Sequence, residues 1–238
     1  MLRGMNGKGP DLSLPARYHE PMQNVLLGRL EPLLRPGLSI ADVGGGRHPL
    51  LAPERRPSPC RYVGIDIDGH ELQAAPPSAY DAHIVYDITR PRPLHEAFDL
   101  IISWQVLEHI RPLDVALTHL RTLLRPGGTL LAQLSGSFAI FSLAARLMPH
   151  RARVLTMAHL LGHRAAEKFP THYDRCYERA LRRMLAPWSS ITILPFYRGA
   201  RYLDFSPTLR RAYLAYESTA ARRGWRDLAT HYLIVATR

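Results

Sequence analysis

The chain has 238 residues, 46% of them hydrophobic, and its formal net charge at pH 7 is +11. This length and composition suit one large soluble α/β domain with an ample core. They argue against a membrane span, because the longest apolar stretch, residues 138–148, is short and contains Arg146. Residues 1–10 lack the apolar region of a secretory signal, and two cysteines cannot form a disulfide framework, so we expect a cytoplasmic protein.

The beginning of the chain is predicted to be a disordered segment followed by a helix. Residues 1–15 have several glycines and a proline close together. In residues 16–34 apolar side chains recur at helical spacing, and Pro36 with Gly37 ends that helix. We therefore assign residues 16–238 to a single domain.

A glycine-rich turn follows the first predicted strand, residues 38–43. Three consecutive glycines end this apolar run, namely Gly44, Gly45 and Gly46. Glycine permits a tight turn and a close approach of the backbone to a ligand. Asp42 places a carboxylate at the carboxyl edge of the sheet, where open α/β sheets bind ligands. The turn has neither the third glycine of a dinucleotide site nor a P-loop lysine, so it indicates either a ligand site or a plain strand-to-helix corner.

The second predicted strand, residues 62–68, carries another acid. Four prolines within residues 47–59 limit the preceding helix to one or two turns. Asp66 lies 20 residues beyond Gly46, the distance at which an acid in a βαβ nucleotide unit accepts hydrogen bonds from ribose hydroxyls. The alternative is a solvated loop aspartate, and the upstream turn favours the ribose role.

The remaining elements alternate up to residue 135 and then become irregular. Three more strands and a helix are predicted at residues 82–88, 98–104, 112–125 (the helix) and 129–134. This alternation predicts a doubly wound parallel sheet. Later elements are predicted at residues 171–185 (helix), 191–194 (strand), 207–222 (helix) and 231–236 (strand). Residues 206–224 are thus a second helical insert, and the last strand closes the sheet.

A helical lid is predicted over residues 136–188, where apolar side chains are edged by arginines. The whole excess of positive charge lies beyond residue 135, since residues 136–238 carry 17 Lys and Arg against 6 Asp and Glu. Such asymmetry favours an anionic partner, although arginine-rich coding would also produce it. The lid could bind an amphiphilic acidic acceptor or dock on an anionic bilayer at the inner face of the membrane, and plain core packing is the alternative.

The run "FDLIISWQVLEHI … LLRPGG" at residues 98–110 and 123–128 resembles the class I S-adenosylmethionine-dependent methyltransferases. The glycine turn, Gly64-Ile65-Asp66 and Tyr86-Asp87 carry the same resemblance. The resemblance is strongest to the small-molecule branch of this family, that is, to methyltransferases of type 11 and type 12. The resemblance covers residues 38–135 and implies a mostly parallel seven-stranded Rossmann-like sheet with a closing antiparallel strand.

The resemblance also implies a site for S-adenosylmethionine along the carboxyl edge of the sheet. Its residues would be Asp42, Gly44, Gly45, Gly46, Asp66, Ile67, Asp87, Ile88, Ser103 and Gln105. The glycines would pass under the amino-acid part of the cofactor, with Asp42 near its ammonium group. Asp66 would bind the ribose and Asp87 the adenine amino group, with an isoleucine after each of them against the adenine. Ser103 and Gln105 would lie near the methionine part, and His48 replaces a glycine that the family usually has.

Two histidines are candidates for a general base, His109 after the fourth strand and His172 in the lid. Histidine is the usual base for an oxygen nucleophile near neutral pH. The alternative, that His109 has only a structural role at the start of a helix, is favoured. No Cys/His cluster has the spacing of zinc ligands, and no metal site is predicted.

The predicted function is methyl transfer to a small acidic or amphiphilic acceptor, with oxygen as the favoured atom, in natural-product, glycan or lipid-linked biosynthesis. The basic second half leaves RNA methylation open, but the absence of an RNA-binding motif argues against a nucleic-acid partner. A binding module without catalysis is a third reading, and a nicotinamide dehydrogenase a distant fourth. The sequence does not determine the oligomeric state.

Overall fold

Seven strands form one sheet in the computed structural model, which describes residues 14–91, 97–139, 142 and 170–238. The strands are β1 (Leu38–Val43), β2 (Cys60–Asp66), β3 (Ala82–Val85), β4 (Phe98–Trp104), β5 (Leu124–Ser135), β6 (Ser190–Phe196) and β7 (His231–Thr237). Their order is β3-β2-β1-β4-β5-β7-β6, and only β7 runs antiparallel to its neighbours. The predicted fold class, a mostly parallel seven-stranded sheet with a closing antiparallel strand, is confirmed.

Helices cover both faces of this sheet. Those described are α1 (Met22–Leu30), α2 (Gly69–Gln73), α3 (Leu113–Leu123), α4 (Glu178–Leu185) and α5 (Pro207–Arg222). Side chains alternate along a strand, so Ile101 of β4 packs with α3 on one face, whereas Leu100 and Ile102 pack with α1 on the other. The central strands are buried on both faces, which explains why they read as continuous apolar runs.

Several predicted elements have different bounds in the structure, and local chemistry explains three of these differences. The helix predicted over residues 16–34 is divided at Pro21, which caps α1, because a proline interrupts the hydrogen-bond ladder of a helix interior. The strand predicted to end at residue 88 ends at Val85, because Asp87 opens a turn by accepting from Thr89 N at 3.0 Å. The helix predicted from residue 171 begins at Glu178, because positive φ angles at Tyr173 and Arg175 are incompatible with a helix.

Two predicted segments lie largely outside the described residues. Residues 1–13 are one, and most of the apolar part of the lid, residues 140–141 and 143–169, is the other. Leu14 and Tyr18 are buried against Ala200, which ties the start of the described chain to the region before α5. None of the described helices combines the length and apolar character needed to cross a membrane.

The helix α3 should contribute strongly to stability through its buried face. Leu120→Ala removes a fully buried side chain, and we expect the free energy of unfolding to fall by about 2–5 kcal/mol. Thr118→Ala on the exposed face of α3 is the control, with an expected change within about 0.5 kcal/mol. Urea denaturation measures both variants. Equal losses would show that α3 does not pack as described.

Candidate functional site

The glycine turn after β1 is a tight structure that only glycine fits. Gly44 and Gly46 have φ angles of +78° and +49°, a region that side chains disfavour. A side chain at Gly44 would overlap Val106, which follows β4. The turn is held by Gly44 N, which donates to Ile65 O at 2.7 Å. The backbone of this turn therefore lies against the chain that leaves β4.

Asp42 lies beneath this turn. Its Oδ2 accepts hydrogen bonds from Leu50 N at 2.8 Å and from the Tyr62 hydroxyl at 2.6 Å. A Cβ atom on Gly45 would stand 2.7 Å from the same oxygen. Only 1% of Asp42 is exposed, and burial raises the pKa of its carboxyl group to about 6. The residue expected near the cofactor's ammonium group is thus enclosed below the turn and does not line the neighbouring cavity.

A cavity of about 440 Å³ opens at the carboxyl ends of β1, β2 and β4. Most of the predicted site residues line it: Gly44, Asp66, Ile67, Asp87, Ile88 and Gln105 from the resemblance, and the candidate bases His109 and His172. Gln105 has a φ of +54° and donates its N–H to Gln133 O at 2.9 Å, which turns the chain sharply at the end of β4. These residues come from distant parts of the sequence and meet because parallel strands end at one edge.

Four of the predicted residues lie outside the lining of this cavity, Asp42, Gly45, Gly46 and Ser103. Ser103 is fully buried, and its hydroxyl donates to Val43 O at 3.1 Å. That bond joins the ends of β1 and β4. Ser103 therefore supports the turn, whereas the resemblance placed it near the methionine part of the cofactor.

The pKa values of the two acids of the cavity are shifted in opposite directions. Burial raises the pKa of Asp66, whose Oδ1 accepts from Asp68 N at 2.9 Å. Burial also acts to raise the pKa of Asp87, but hydrogen bonds from Thr89 and the charge of Arg90 outweigh it and hold that pKa below its usual value. Asp87 is therefore firmly ionised, while Asp66 keeps a less solvated carboxylate beside the turn.

Both candidate histidines line the cavity. The Nδ1 atom of His109 is 3.3 Å from Pro170 O. A carbonyl oxygen can only accept, so this bond places a hydrogen on Nδ1 and leaves the lone pair of a neutral ring on Nε2. The backbone N–H of His172 donates to Glu108 O at 3.0 Å.

Glu108 was not predicted as a site residue, although it stands next to His109. Its side chain is buried, its Oε1 accepts from Ser135 N at 3.1 Å, and its Oε2 has no hydrogen-bond partner among the described residues. Burial raises the pKa of this carboxyl group. The Glu108 carbonyl also accepts from Tyr173 N at 2.9 Å. Glu108 therefore connects the segment that contains His109 to the segment that contains His172. The signal available in the sequence for this residue was an acid within the otherwise largely apolar segment 106–110.

Comparison with known proteins identifies the family. The family model described as "Methyltransferase domain" matches residues 17–187, which is most of the chain. This chain belongs to the class I S-adenosylmethionine-dependent methyltransferases. The match includes the glycine turn, both acids of the cavity and both histidines.

Curated relatives and solved structures agree with this family. A ubiquinone biosynthesis O-methyltransferase of Paramagnetospirillum magneticum is 35% identical over 107 residues, which are 42% of this chain and 43% of that enzyme. The counterpart from Nitrobacter winogradskyi is 29% identical over 100 residues, 40% of this chain and 38% of that enzyme. The chain therefore spans less than half the length of the curated relatives it matches.

Solved methyltransferase structures share the fold at low identity. A S-adenosylmethionine-dependent methyltransferase of Mesorhizobium loti has a TM-score of 0.54 at 19% identity, covering 89% of this chain and 96% of that one. Phosphoethanolamine N-methyltransferase 2 of Haemonchus contortus, crystallised with S-adenosylmethionine, has a TM-score of 0.57 at 13% identity, covering 91% and 52%. These likenesses establish the fold.

The cavity fits the cofactor of this family. Carboxylates such as Asp66 accept hydrogen bonds from a ribose diol, and two isoleucines, Ile67 and Ile88, offer apolar contact to a flat base. A Cβ atom at Gly46 would stand 3.3 Å from Asp66 Oδ2, so the turn and this carboxylate are neighbours. When bound, S-adenosylmethionine supplies an electrophilic methyl group.

Asp42 should make the stability of the protein depend on pH. Because the folded state raises its pKa from 3.8 to about 6, wild-type stability is lost as the pH rises through that range. Asp42→Asn keeps a carbonyl oxygen for Leu50 N and the Tyr62 hydroxyl but cannot ionise. Between pH 4 and pH 6 the variant should therefore gain up to roughly 3 kcal/mol relative to the wild type. Urea denaturation across this range measures the difference, and a pH-independent difference would show that Asp42 is not buried as described.

Proposed function

We propose that this chain transfers a methyl group from S-adenosylmethionine to an oxygen atom of a small acceptor that is anionic or amphiphilic. The curated relatives, which are named O-methyltransferases of ubiquinone biosynthesis, support oxygen as the acceptor atom and lipid-linked biosynthesis as the setting. They offer no separate support for a natural-product or glycan setting. The observation that carries the proposal is a second cavity beside the first.

This second cavity of about 300 Å³ shares two walls, Arg111 and His172, with the cavity that fits the cofactor. Its other walls are Ser137, Phe138, Tyr173, Asp174, Arg175 and Tyr177. The rings of Phe138 and Tyr177 lie 5.3 Å apart at 45°. Aromatic walls of this kind suit a flat acceptor ring, and the shared walls would bring its hydroxyl towards the methyl donor.

Arginines near this cavity favour an acceptor with a negative charge. Arg175 is engaged by protein carboxylates, with Asp114 at 2.8 Å and Asp174 at 3.3 Å. Burial acts to raise the pKa of Asp174, but the Leu113 N–H and the charges of Arg175 and Arg111 outweigh it and lower that pKa. Arg111 is exposed on the wall between the two cavities. A carboxylate or phosphate on the acceptor would form a charge-assisted hydrogen bond with this guanidinium group.

His109 is the residue best placed to take the acceptor's proton. Its Nδ1–H is held by Pro170 O, so Nε2 of the neutral ring carries the lone pair, and the residue lines the cavity that fits the cofactor. Glu108 holds the segment next to this ring in place. Its side chain accepts a hydrogen bond from Ser135 N, and its backbone carbonyl accepts from the N–H groups of residues 172 and 173. The reaction that we propose is therefore removal of a hydroxyl proton by His109 during in-line methyl transfer.

A product-release assay tests this function with three acceptors: catechol, 3,4-dihydroxybenzoate and a catechol with an alkyl chain. We expect S-adenosylhomocysteine release with catechols and a higher kcat/KM for the carboxylated and alkylated compounds. His109→Asn should lower kcat by about 100-fold, because a general base contributes at least that much. The affinity for S-adenosylhomocysteine should stay unchanged in this variant.

His119→Asn is the matched control, because His119 also contacts a backbone carbonyl, Ile88 O at 2.8 Å, but does not line either cavity. It should retain the wild-type kcat. Binding of S-adenosylhomocysteine without turnover of any catechol would contradict the proposed reaction. A His109→Asn enzyme with the wild-type kcat would restrict His109 to a structural role.

A further inference from the structure

Residues 197–230 form an insert on the same edge of the sheet as the cavities. Phe196 at the end of β6 pairs with His231 at the start of β7, and His231 pairs with Ser135 at the end of β5. The chain between β6 and β7 therefore leaves the carboxyl edge and returns to it. This insert contains α5, preceded by a 3-10 helix, Ala200–Leu203.

Buried polar contacts hold the inner side of α5 in place. Glu217 is buried, and its Oε1 accepts from Gly199 N at 2.6 Å. Its Oε2 accepts from the hydroxyl of Tyr18, which in turn accepts from Ala200 N at 3.0 Å. These bonds tie α5 to both the start of the insert and the N-terminal segment. The orientation of the helix is therefore fixed, and its outer side is presented to solvent.

Several large apolar side chains of the insert are exposed to solvent. We define the aromatic face as Tyr202, Phe205, Leu209, Tyr216 and Trp225. Each of these side chains is more than a third exposed, with Phe205 at 60% and Leu209 at 51%. The other exposed large hydrophobic side chains in the described residues are Ile67, Val85 and Phe138, and two of those line cavities. Exposed apolar groups thus concentrate on this one insert, a pattern that marks an interaction site.

The insert that carries the aromatic face is also rich in arginine. Residues 199–226 contain six arginines against two acids, Asp204 and Glu217. Glu217 is buried and Asp204 pairs with Arg210 at 3.2 Å, so neither neutralises the exposed Arg211, Arg222 and Arg223. The guanidinium group of Arg223 also lies 5.4 Å from the centre of the Trp225 ring. The insert therefore combines exposed aromatic rings, an exposed leucine and a net positive charge.

We propose that the aromatic face docks on the surface of a bilayer that contains anionic phospholipids. Tyrosine and tryptophan favour the headgroup region of a membrane, and each arginine near an anionic surface contributes about 1 kcal/mol. A helix with an apolar side edged by arginines lies in that interface without crossing it. A second copy of the chain fits less well, because pairing two such faces would bring their arginines together.

This proposal goes beyond the transfer reaction and does not depend on it. Docking by the insert would bring the carboxyl edge of the sheet towards the bilayer, so an amphiphilic acceptor could reach the cavities from the lipid. The face differs from the predicted lid, most of whose apolar part lies outside the described residues.

Vesicle co-sedimentation tests the proposal with phosphatidylcholine alone and with mixed phosphatidylcholine and phosphatidylglycerol. The wild type should bind the mixed vesicles, and binding should weaken as salt increases. The double variant Phe205→Ser/Leu209→Ser should lower the partition coefficient at least about 10-fold, because each side chain loses apolar burial. Arg222→Gln/Arg223→Gln should lower it by a similar factor and reduce the salt dependence.

Matched controls change the same chemistry elsewhere. Val85→Ser replaces another exposed apolar side chain, and Arg29→Gln/Arg35→Gln removes the same charge from an exposed part of the N-terminal region. Both should bind vesicles like the wild type. Equal binding by all variants, or equal binding to both kinds of vesicle, would overturn the proposal. Sedimentation equilibrium showing a dimer that Phe205→Ser/Leu209→Ser dissociates would assign the face to a second copy instead.

Discussion

The hydrogen bonds that Asp42 accepts beneath the glycine turn are the constraint on which the site depends. One oxygen receives both the Leu50 N–H and the Tyr62 hydroxyl, so it joins the end of β1 to the residues after the turn and to β2. The turn above it has no room for side chains at Gly44 or Gly45. Because that turn is narrow, the chain after β4 can approach it, and the cavity forms between them.

Three acids lie at or just after the ends of three neighbouring strands, but they differ in burial and in pKa. Asp42 is enclosed and has a raised pKa, whereas Asp87 is partly exposed and is held ionised by Thr89 and Arg90. Asp66 lies between these extremes, with one oxygen on Asp68 N. A pattern of acids at strand ends identifies the edge of the sheet that binds ligands. The depth of each carboxylate then decides whether it supports the turn or faces the cavity.

Much of the architecture was predictable from local patterns. The strands β1 and β4 and the helix α5 have the predicted bounds, because unbroken apolar runs and helical spacing are properties of short segments. Contacts between distant segments were not predictable. The burial of Asp42 depends on Tyr62 and Leu50, and the role of Glu108 depends on Ser135 and on residues 172–173. The hydrogen bond of the Ser103 hydroxyl to the end of β1 is another such contact.

The central claim is that the cavity between the glycine turn and the chain after β4 holds the adenosyl group, with Asp66 on its ribose. Calorimetric titration with S-adenosylhomocysteine tests it most directly, using Asp66→Ala and, as a control, Glu54→Ala at an exposed acid outside the cavity. Losing two hydrogen bonds to a charged group should weaken binding by about 100-fold or more, while Glu54→Ala should bind like the wild type. Wild-type affinity in Asp66→Ala would contradict the account.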